Sequence, residues 1–403
     1  MLRSDPKIFG VVLVLGATAL RADAIYPHAA EPIGTVRQVY DGALFPDIRV
    51  NTFRNIDRLF PVATVERGER VRPIPASATP LEEFEFESNG KRYDLYDFVT
   101  LNSVTGLLIV KDGESVLELY QAGNTEETRW MSMSIVKSMC SALVGAAIED
   151  GHIKSIDDPI VDYLPQFSGS AYDGVTVRHL LQMSSGVAWN ETYTDPESDR
   201  RRMLEAQIAQ NPGAILDLMA ELPRAAEPGS RWNYSTGETH IVGALLSAAT
   251  GKPVADYLSQ RIWSTVGMES DASWWLESPG GLEVGGSGLS ATLRDYARFG
   301  LFLLADGVVD GKRVLPEGWT KEAAARQHIG GELVEYGYMF WPVPDADGRY
   351  DDGAYAAIGI FGQYIYVNPA ASLVVAMWGA QSKPVDTWVI DDYDFFAALA
   401  ERL

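Results

Sequence analysis

The sequence predicts an α/β fold of the α+β type, in which an antiparallel sheet built from both chain ends is flanked by helices and interrupted by a mostly helical insertion. Three observations predict it. Residues 105–120 have the pattern of two apolar strands joined by a turn, residues 165–285 have helical periodicity, and the C-terminal part returns to strand patterns. Because the helical region separates two strand-rich regions, these are expected to pair in one sheet.

The chain is predicted to divide into a signal peptide, an arm and two domains. The signal peptide occupies 1–24, the N-terminal arm 25–95, the α/β domain 96–164 together with 285–403, and the helical domain 165–284. The arm contains many Pro, Arg and Asn residues and little periodicity. It is therefore expected to wrap over the main body with only short regular pieces.

The N-terminal segment has the composition of a secretory signal. Arg3 and Lys7 supply positive charge, an apolar run covers 8–20, and the small residues of 22–24 fit a cleavage site, although Asp5 is atypical of the basic region. The apolar run is too short for a comfortable membrane span. We therefore expect an exported protein, periplasmic or secreted, without a stable membrane span. The pattern leaves open whether the segment is cleaved or stays as an anchor.

Charge and composition exclude several partners and cofactors. The 403 residues carry a formal net charge of −22, which argues against nucleic acid and anionic membrane surfaces as partners. The single cysteine, Cys140, can form no internal disulfide, and its place in an apolar run indicates a small buried side chain. The 5 histidines are scattered without metal-ligand spacing, so neither a metal nor another cofactor is expected.

A Ser-x-x-Lys tetrapeptide, Ser134 to Lys137, follows the predicted hairpin of residues 105–120 and opens an apolar helix. Residues three apart share a helix face with Cβ atoms about 5–6 Å apart, so the lysine amine can reach the serine hydroxyl. A lysine that loses its charge by desolvation can accept the serine proton, and the helix N-terminus can stabilise an oxyanion. The alternative is a serine N-cap with a solvated lysine one turn later. The apolar residues between Met131 and Val136 favour the first interpretation.

Five helices are predicted in the helical region. They cover residues 176–184, 199–209, 213–221, 236–250 and 253–266. Thr176 is the predicted N-cap of the first of them, and a short helix between prolines is expected before it, at 157–165. A glycine-rich break at 280–288 then precedes a helix at 293–304 with an apolar stripe.

The C-terminal region is predicted to supply the remaining strands and one helix. The strands cover residues 336–341, 354–359, 363–367 and 372–378. A turn at Asn368-Pro369 is expected to join the last two strands, and an amphipathic helix is expected from 386 to 403.

Several segments, in chain order, resemble the serine β-lactamases and penicillin-binding proteins. Ser134-x-x-Lys137 resembles their nucleophile box, Tyr234 with the two residues after it resembles their Tyr-x-Asn box, and residues 176–186 and 286–300 resemble two further family segments. The resemblance covers most of the chain and implies a β-lactamase/transpeptidase-like fold of the class C kind. It also implies that Ser134 is the nucleophile, Lys137 its base, and Tyr234 a proton relay whose pKa Lys137 depresses.

Within this superfamily, the chain is most similar to the 6-aminohexanoate-dimer hydrolase (nylon oligomer hydrolase) group and to family VIII-type carboxylesterases. Residues 172–174, 189–196 and 359–363 lie where such proteins carry similar runs. In the first group, a tyrosine matching Tyr193 closes over the substrate and hydrogen-bonds its amide. The resemblance therefore implies a substrate-binding role for Tyr193, whereas the alternative is an ordinary exposed loop aromatic.

The third family box departs from the pattern. Relatives that act on β-lactams place Lys-Thr-Gly or His-x-Gly on the strand facing the nucleophile, whereas residues 357–359 are Ala-Ile-Gly, and the shifted frame 360–362 also lacks a cation. A penicillin carboxylate would lose a charge-assisted bond worth about 1.5–3 kcal/mol. The resemblance still implies an oxyanion hole formed by the backbone N–H groups of Ser134 and Ile360, with Gly359 permitting close backbone approach.

Three aromatic residues have two interpretations. Trp189, Tyr338 and Trp341 can form the wall of an apolar acyl pocket, or they can belong to the core. The candidate substrate-binding residues are accordingly Tyr193, Trp189, Trp341 and Gly359.

The sequence therefore predicts a serine hydrolase, an esterase or amidase, that cleaves small-molecule carboxylic esters or linear amides through an acyl-Ser134 intermediate. One alternative is a penicillin-recognising binding or sensor domain that is acylated without being deacylated. Another is a weak β-lactamase or D,D-peptidase. No serine has glycine at both −2 and +2, so the nucleophile elbow of α/β-hydrolases is absent. The natural substrate and the oligomeric state are left open.

Overall fold

The computed structural model describes residues 26–384 and 387–403. The predicted signal peptide at 1–24 lies outside these residues, so export stays a prediction. Within the described ranges, none of the helices combines the length and the apolar character needed to cross a membrane. The division of the chain into an arm and two domains likewise stays a prediction.

Along the described chain, strands occur both before and after a run of helices without strands between residues 135 and 266. The α-helices are α1 Val36–Tyr40, α2 Pro46–Phe53, α3 Leu95–Leu101, α4 Ile135–Glu149, α5 Val177–Leu181, α6 Asp199–Ala209, α7 Ala214–Glu221, α8 Thr236–Thr250, α9 Val254–Leu258, α10 Ser264–Val266, α11 Leu293–Leu304, α12 Trp319–Ala324 and α13 Asp392–Arg402. The strands are β1 Val62–Val65, β2 Glu85–Ser88, β3 Lys91–Asp94, β4 Val104–Lys111, β5 Glu114–Tyr120, β6 Arg129–Met131, β7 Ala272–Trp275, β8 Leu289–Thr292, β9 Val308–Val309, β10 Lys312–Arg313, β11 Gln327–Ile329, β12 Glu332–Val334, β13 Trp341–Pro342, β14 Tyr355–Gly359, β15 Gln363–Asn368 and β16 Leu373–Gly379.

A six-stranded antiparallel sheet has the order β13-β14-β15-β16-β4-β5. Strands β4 and β5 precede the helical region and β13 to β16 follow it, which confirms the prediction of one sheet built from both chain ends. The predicted hairpin between β4 and β5 is also confirmed, because Lys111 pairs with Glu114. Between them, Asp112 and Gly113 have φ angles of 52° and 85°. Both are left-handed, as a two-residue type I′ turn requires.

The two faces of this sheet bury different side chains, because successive residues of a strand point to opposite faces. Val374 faces α11, whereas its neighbour Val375 belongs to a second apolar cluster that includes α13. On the first face, Gly300 of α11 lies so close that an added Cβ would be 2.5 Å from Val374 Cγ1. On the second face, Phe395 of α13 stacks on Phe98 with ring centroids 3.8 Å apart. Helices therefore cover both sides of the sheet.

A second sheet, of order β1-β7-β8-β6, is absent from the sequence prediction. Its strands have only three or four residues, too few to show an alternating pattern. Strand β1 lies in the predicted arm and β7 in the predicted helical domain, yet they pair from Val62 with Trp275 to Val65 with Ala272. This sheet matters for the site because β6 leads directly into the segment that carries Ser134.

Most of the predicted helices are confirmed. Helices α6, α7, α8 and α11 match the predicted ranges within one residue, and Thr176 caps α5 as predicted. The helix predicted at 253–266 is divided into α9 and α10 by a π-helical turn at Ser259–Trp263. The short helix predicted at 157–165 forms only a 3₁₀ turn at Ile160–Asp162 and the start of another.

Two C-terminal predictions are wrong. The strand predicted at 336–341 contributes only its last residue to β13, because the Gly337 N–H turns back to the Phe340 carbonyl at 2.9 Å. The last helix begins at Asp392 rather than at 386, with the side chain of Asp391 capping it.

Gly300→Ala and Gly243→Ala, both inside helices, are predicted to change stability in opposite directions. Alanine is the better helix former by about 1 kcal/mol. At Gly243 the nearest atoms to an added Cβ are 3.8 Å away, so the substitution should raise the melting temperature. At Gly300 the added Cβ would lie 2.5 Å from Val374 Cγ1 and 3.0 Å from Ile365 Cγ2. Overpacking of this kind costs about 1–3 kcal/mol, so the substitution should lower the melting temperature. Differential scanning calorimetry measures both, and equal stabilisation by both variants would contradict the packing of α11 on the sheet.

Candidate active site

Ser134 lies at the junction between β6 and α4. Strand β6 ends at Met131, and the Ser132 N–H donates to the Leu289 carbonyl at 2.7 Å, which holds the following turn against β8. Met133 has a φ of 43°, a left-handed conformation that is costly for a residue with a Cβ and is frequent at functional sites. Ser134 occupies the N-cap position of α4, but its side chain makes no capping hydrogen bond. The Ser134 hydroxyl is therefore available to another partner, and the alternative of a serine whose side chain caps the helix is wrong.

Lys137 is buried one helical turn after Ser134, with only 1% of its surface exposed. Its Nζ donates to the Ser134 Oγ and to the Gly286 carbonyl, both at 2.9 Å. The same atom lies 5.1 Å from the centre of the Tyr234 ring. The hydroxyl, the amine and the phenol named from the sequence are thus neighbours, and the alternative of a solvated lysine is wrong.

A glycine is required opposite the Lys137 amine. A Cβ added to Gly286 would lie 2.5 Å from Thr236 Cγ2 and 2.9 Å from the Thr236 carbonyl oxygen. It would also lie 3.4 Å from Lys137 Nζ. The Gly286 carbonyl can therefore reach the amine because no side chain keeps its segment away from the first turn of α8.

Burial lowers the pKa of Lys137 from 10.5 to about 7. Desolvation of the ammonium group is the largest cause. The Glu191 carboxylate acts in the opposite direction, whereas the Arg200 guanidinium lowers the pKa further. A substantial fraction of the amine is therefore neutral near neutral pH, as a proton acceptor must be.

Tyr234 immediately precedes Ser235, the N-cap residue of α8. Burial and the Glu191 carboxylate raise the pKa of the Tyr234 phenol above its usual value, although the neighbouring Ser134 hydroxyl lowers it. The expectation that Lys137 depresses this pKa is wrong, because the cost of burying a phenolate dominates. Tyr234 is therefore a protonated phenol, which can donate a proton.

A cavity of about 420 Å³ opens beside the Ser134 hydroxyl. Its walls come from the turn before α4, the loop before α6, the end of β14, and the segment that starts α13. The lining residues are Ser134, Tyr193, Tyr234, Trp341, Ile358, Gly359, Ile360, Gly362, Tyr364, Gln381, Trp388, Asp391, Asp392 and Tyr393. Besides Ser134, five of the site candidates named from the sequence line this one cavity: Tyr193, Tyr234, Trp341, Gly359 and Ile360.

The charged groups of the cavity wall are acidic. Asp391 and Asp392 line it, whereas none of the lining residues is Lys, Arg or His. Burial raises the pKa of Asp392 to about 7, and hydrogen bonds from Asn102 and Tyr364 oppose that shift. Within the described ranges, no group of three or more His, Cys, Asp or Glu side chains could hold a metal ion. An anionic substituent of a ligand would thus find no counter-charge in the wall.

The end of β14 presses against the turn that carries Ser134. A Cβ added to Gly359 would lie 2.7 Å from the Ser132 carbonyl oxygen and 2.5 Å from Gln363 Oε1. The next residue, Ile360, lines the cavity beside Ser134. Among the described residues, neither the Ser134 N–H nor the Ile360 N–H has an acceptor. Two N–H groups are therefore available to a carbonyl oxygen at this end of the cavity.

Tyr193 and Trp341 lie on the cavity wall. Tyr193 is half-buried, so the alternative of an ordinary exposed loop aromatic is wrong. The Trp341 ring lies 5.8 Å from the Tyr234 ring and 4.7 Å from the Tyr336 ring. Trp341 thus belongs to an aromatic cluster and still presents a face to the cavity.

Trp189 does not line the cavity, so its assignment as a substrate-binding residue is wrong. Its indole N–H donates to Glu191, and its ring would lie 2.9 Å from a Cβ added to Gly237 in α8. Tyr338 is also a packing residue, fully buried, with its hydroxyl donating to Glu322 at 2.5 Å. For both residues the core interpretation is confirmed.

Several residues of the site are missed by the sequence reasoning. Glu191 accepts the Thr236 N–H at 2.9 Å and sits close enough to Lys137 to influence its pKa. It lies within the run 189–196 already singled out, but its carboxylate carries no motif of its own. Asp391 and Asp392 reach the cavity through the tertiary placement of α13, which no local pattern encodes.

The chain matches a protein-family model and several curated proteins. A family model described as Beta-lactamase matches residues 103–399. The 6-aminohexanoate-dimer hydrolase of Paenarthrobacter ureafaciens is 26% identical over 353 residues, which cover 82% of this chain and 85% of that protein.

Solved structures support the same fold. A candidate 6-aminohexanoate-dimer hydrolase from Bacillus anthracis has a TM-score of 0.77 at 22% identity, covering 92% of this chain and 96% of that one. A family VIII carboxylesterase has a TM-score of 0.58 at 19% identity, covering 74% of this chain and 91% of that one. At such identities the likeness shows the fold alone, and the predicted β-lactamase/transpeptidase-like architecture is confirmed.

Lys137→Met is predicted to stabilise the protein at neutral pH. Because the folded pKa of Lys137 is about 7 and the ordinary value is 10.5, the unfolded state binds more protons between these values. The free energy of unfolding of the wild type therefore increases as pH rises from about 7 to 10.5, because the Lys137 amine is neutral in the folded state. Methionine has no charge to desolvate, so the variant should have a higher melting temperature than wild type at about pH 7. This difference in melting temperature should be smaller at about pH 9.

Differential scanning calorimetry at both pH values measures this margin. A variant that is less stable than wild type by the same amount at both pH values would contradict a desolvated lysine.

Proposed function

The chain belongs to the Beta-lactamase family, and on this premise we propose that it is a serine hydrolase cleaving carboxylic esters or linear amides through an acyl-Ser134 intermediate. The observation that carries the proposal is the 2.9 Å contact between the buried Lys137 Nζ and the Ser134 Oγ. A serine hydroxyl is a weak nucleophile at neutral pH, and an adjacent base of suitable pKa activates it.

Acylation begins when neutral Lys137 accepts the Ser134 hydroxyl proton while the Oγ attacks the substrate carbonyl carbon. The carbonyl oxygen becomes an oxyanion. The N–H groups of Ser134 and Ile360, which have no acceptor among the described residues, are the donors that stabilise it. The Ser134 N–H lies at the N-terminus of α4, so the positive end of the helix dipole adds to this stabilisation.

Tyr234 supplies the proton for the leaving group. Its raised pKa keeps the phenol protonated, and it lines the same cavity as Ser134 with its ring centre 5.1 Å from Lys137 Nζ. When the alcohol or amine departs, it takes the phenol proton, and the Lys137 ammonium replaces that proton. Water then attacks the acyl carbon, and its proton returns through the same groups to Ser134 as the carboxylic acid leaves.

The acidic cavity favours neutral substrates over carboxylates. Asp391 and Asp392 are the acidic side chains of the lining, and no lining cation compensates a substrate carboxylate. This supports uncharged esters and linear amides, in keeping with a structural neighbour named a carboxylesterase. It speaks against penicillins, whose carboxylate would remain unpaired.

Ser134→Ala should abolish ester hydrolysis, lowering kcat by at least about 10³-fold, because the nucleophile is removed. Ser141→Ala is the matched control: Ser141 lies on the same helix, is fully buried, and has a hydroxyl without a hydrogen-bond partner among the described residues. It should keep wild-type turnover. Steady-state assays with short-chain p-nitrophenyl esters, and mass spectrometry of fluorophosphonate-labelled protein, measure both.

Undiminished turnover by Ser134→Ala would rule out Ser134 as the nucleophile. Stoichiometric acylation by penicillin without any steady-state turnover would instead favour the binding or sensor alternative.

A neutral butyrate ester should be preferred to the corresponding hemisuccinate ester with the same leaving group. The added carboxylate would enter a wall without a cation, and the expected loss in kcat/KM is about tenfold or more. Asp391→Asn should narrow the difference, because one negative charge of the wall is removed. Equal kcat/KM values for the two esters in wild type would contradict the acidic cavity as a source of selectivity.

A further inference from the structure

The loop at 188–198 carries Tyr193 from the region before α6 to the cavity wall. Within this loop, the Ser198 Oγ donates to the Thr192 carbonyl at 2.7 Å, and Asn190 Oδ1 accepts the Thr192 N–H at 3.0 Å. These bonds shape the backbone of the loop but do not touch the Tyr193 side chain. The position of that ring therefore depends on what packs behind it.

Tyr40, the last residue of α1, packs against the Tyr193 ring. The two ring centroids are 6.4 Å apart with an interplanar angle of 28°. Tyr40 is itself held from the other side, since the Arg200 guanidinium carbon lies 4.4 Å from its ring centre and Arg200 donates to its hydroxyl. Arg200 and Tyr40 are both almost fully buried, so this stack is shielded from water.

Asp41, the next residue of the chain, provides a second link to the loop. Arg201 Nη1 donates to Asp41 Oδ1 at 2.8 Å and to the Tyr193 carbonyl at 3.2 Å. The Arg201 side chain is only 6% exposed, although the Asp41 carboxylate is 47% exposed. One buried guanidinium thus joins the chain segment after α1 to the backbone of Tyr193.

A third contact between α1 and α6 does not touch Tyr193. Arg37 pairs with Glu205 at 2.6 Å, and their side chains are 54% and 47% exposed. Exposed pairs of this kind contribute little to stability. Because it does not contact Tyr193, this pair serves as an internal control for the two links that do.

We propose that Tyr40 and Asp41 are positioning residues of the active site, and that the N-terminal segment around α1 holds Tyr193 where it faces the substrate. The inference rests on the proposed function, because it gives this segment a part in the same reaction. Tyr40 and Asp41 touch neither Ser134 nor Lys137, so they act through the Tyr193 loop. Their loss should weaken substrate binding more than it slows the serine chemistry.

Hydrogen exchange tests the link without relying on any reaction. Tyr40→Leu should accelerate amide exchange in the 188–198 loop, and Tyr40→Phe, which keeps the ring, should restore slow exchange. Phe60→Leu is the matched control, because Phe60 is another buried aromatic of the N-terminal part and packs on Trp275 at 5.1 Å. It should leave exchange in the loop unchanged. Loop exchange that is the same in Tyr40→Leu and wild type would overturn the proposal.

A double-mutant cycle with an ester substrate tests the catalytic consequence. Tyr40→Leu should raise KM about tenfold or more with a smaller change in kcat. In a Tyr193→Ala background it should have no further effect, because the positioned group is already absent. Arg37→Gln should leave both constants unchanged.

Two outcomes separate this proposal from the proposed function. If Tyr40→Leu reduces kcat/KM by the same factor with and without the Tyr193 side chain, the residue acts on general stability and the proposal fails. If wild type turns over no ester at all, the proposed function fails, and the exchange experiment still decides whether Tyr40 holds the loop.

Discussion

The contact between the buried Lys137 amine and the Ser134 hydroxyl is the constraint on which the rest of the site depends. Taking an ammonium group out of water is costly, and here the cost is reduced because the amine loses its charge near neutral pH. Two hydrogen bonds of 2.9 Å then satisfy the neutral amine. Burial destabilises the charged form of Lys137 and thereby makes its neutral form available as a base. The same burial therefore lowers the stability of the folded state and provides the base for the reaction.

The two sheets position different parts of the site around this contact. In the four-stranded sheet, β6 and β8 pair directly, so the turn before Ser134 and the segment containing Gly286 are held beside each other. In the six-stranded sheet, β14 ends at Gly359 and brings the Ile360 N–H to the cavity. Helix α8 delivers Tyr234 from the helical region. The site therefore forms where separate parts of the chain meet, and each part contributes a group that the others lack.

The sequence predicts those features that depend on residues close together in the chain, and it misses those that depend on tertiary packing. The contact of Ser134 with Lys137 follows from their spacing of three on a helix, and the β4–β5 hairpin follows from a two-residue turn; both are local. The short strands β6 and β8 carry too few residues for any period to show. Trp189 and Trp341 looked equivalent, and only tertiary packing puts one in the core and the other on the cavity wall. The direction of the Tyr234 pKa was likewise beyond prediction, because it depends on burial.

The pH dependence of Ser134 acylation tests the central claim most directly. A burst of leaving group from a chromogenic ester, followed on the stopped-flow timescale, reports acylation separately from deacylation. With Lys137 as the base, the burst rate should rise with pH, by up to about tenfold per unit, and level off above about 7 as the amine becomes neutral. A rate that continues to rise toward 10.5, the ordinary lysine value, or that does not change with pH, would contradict a neutral buried amine as the base.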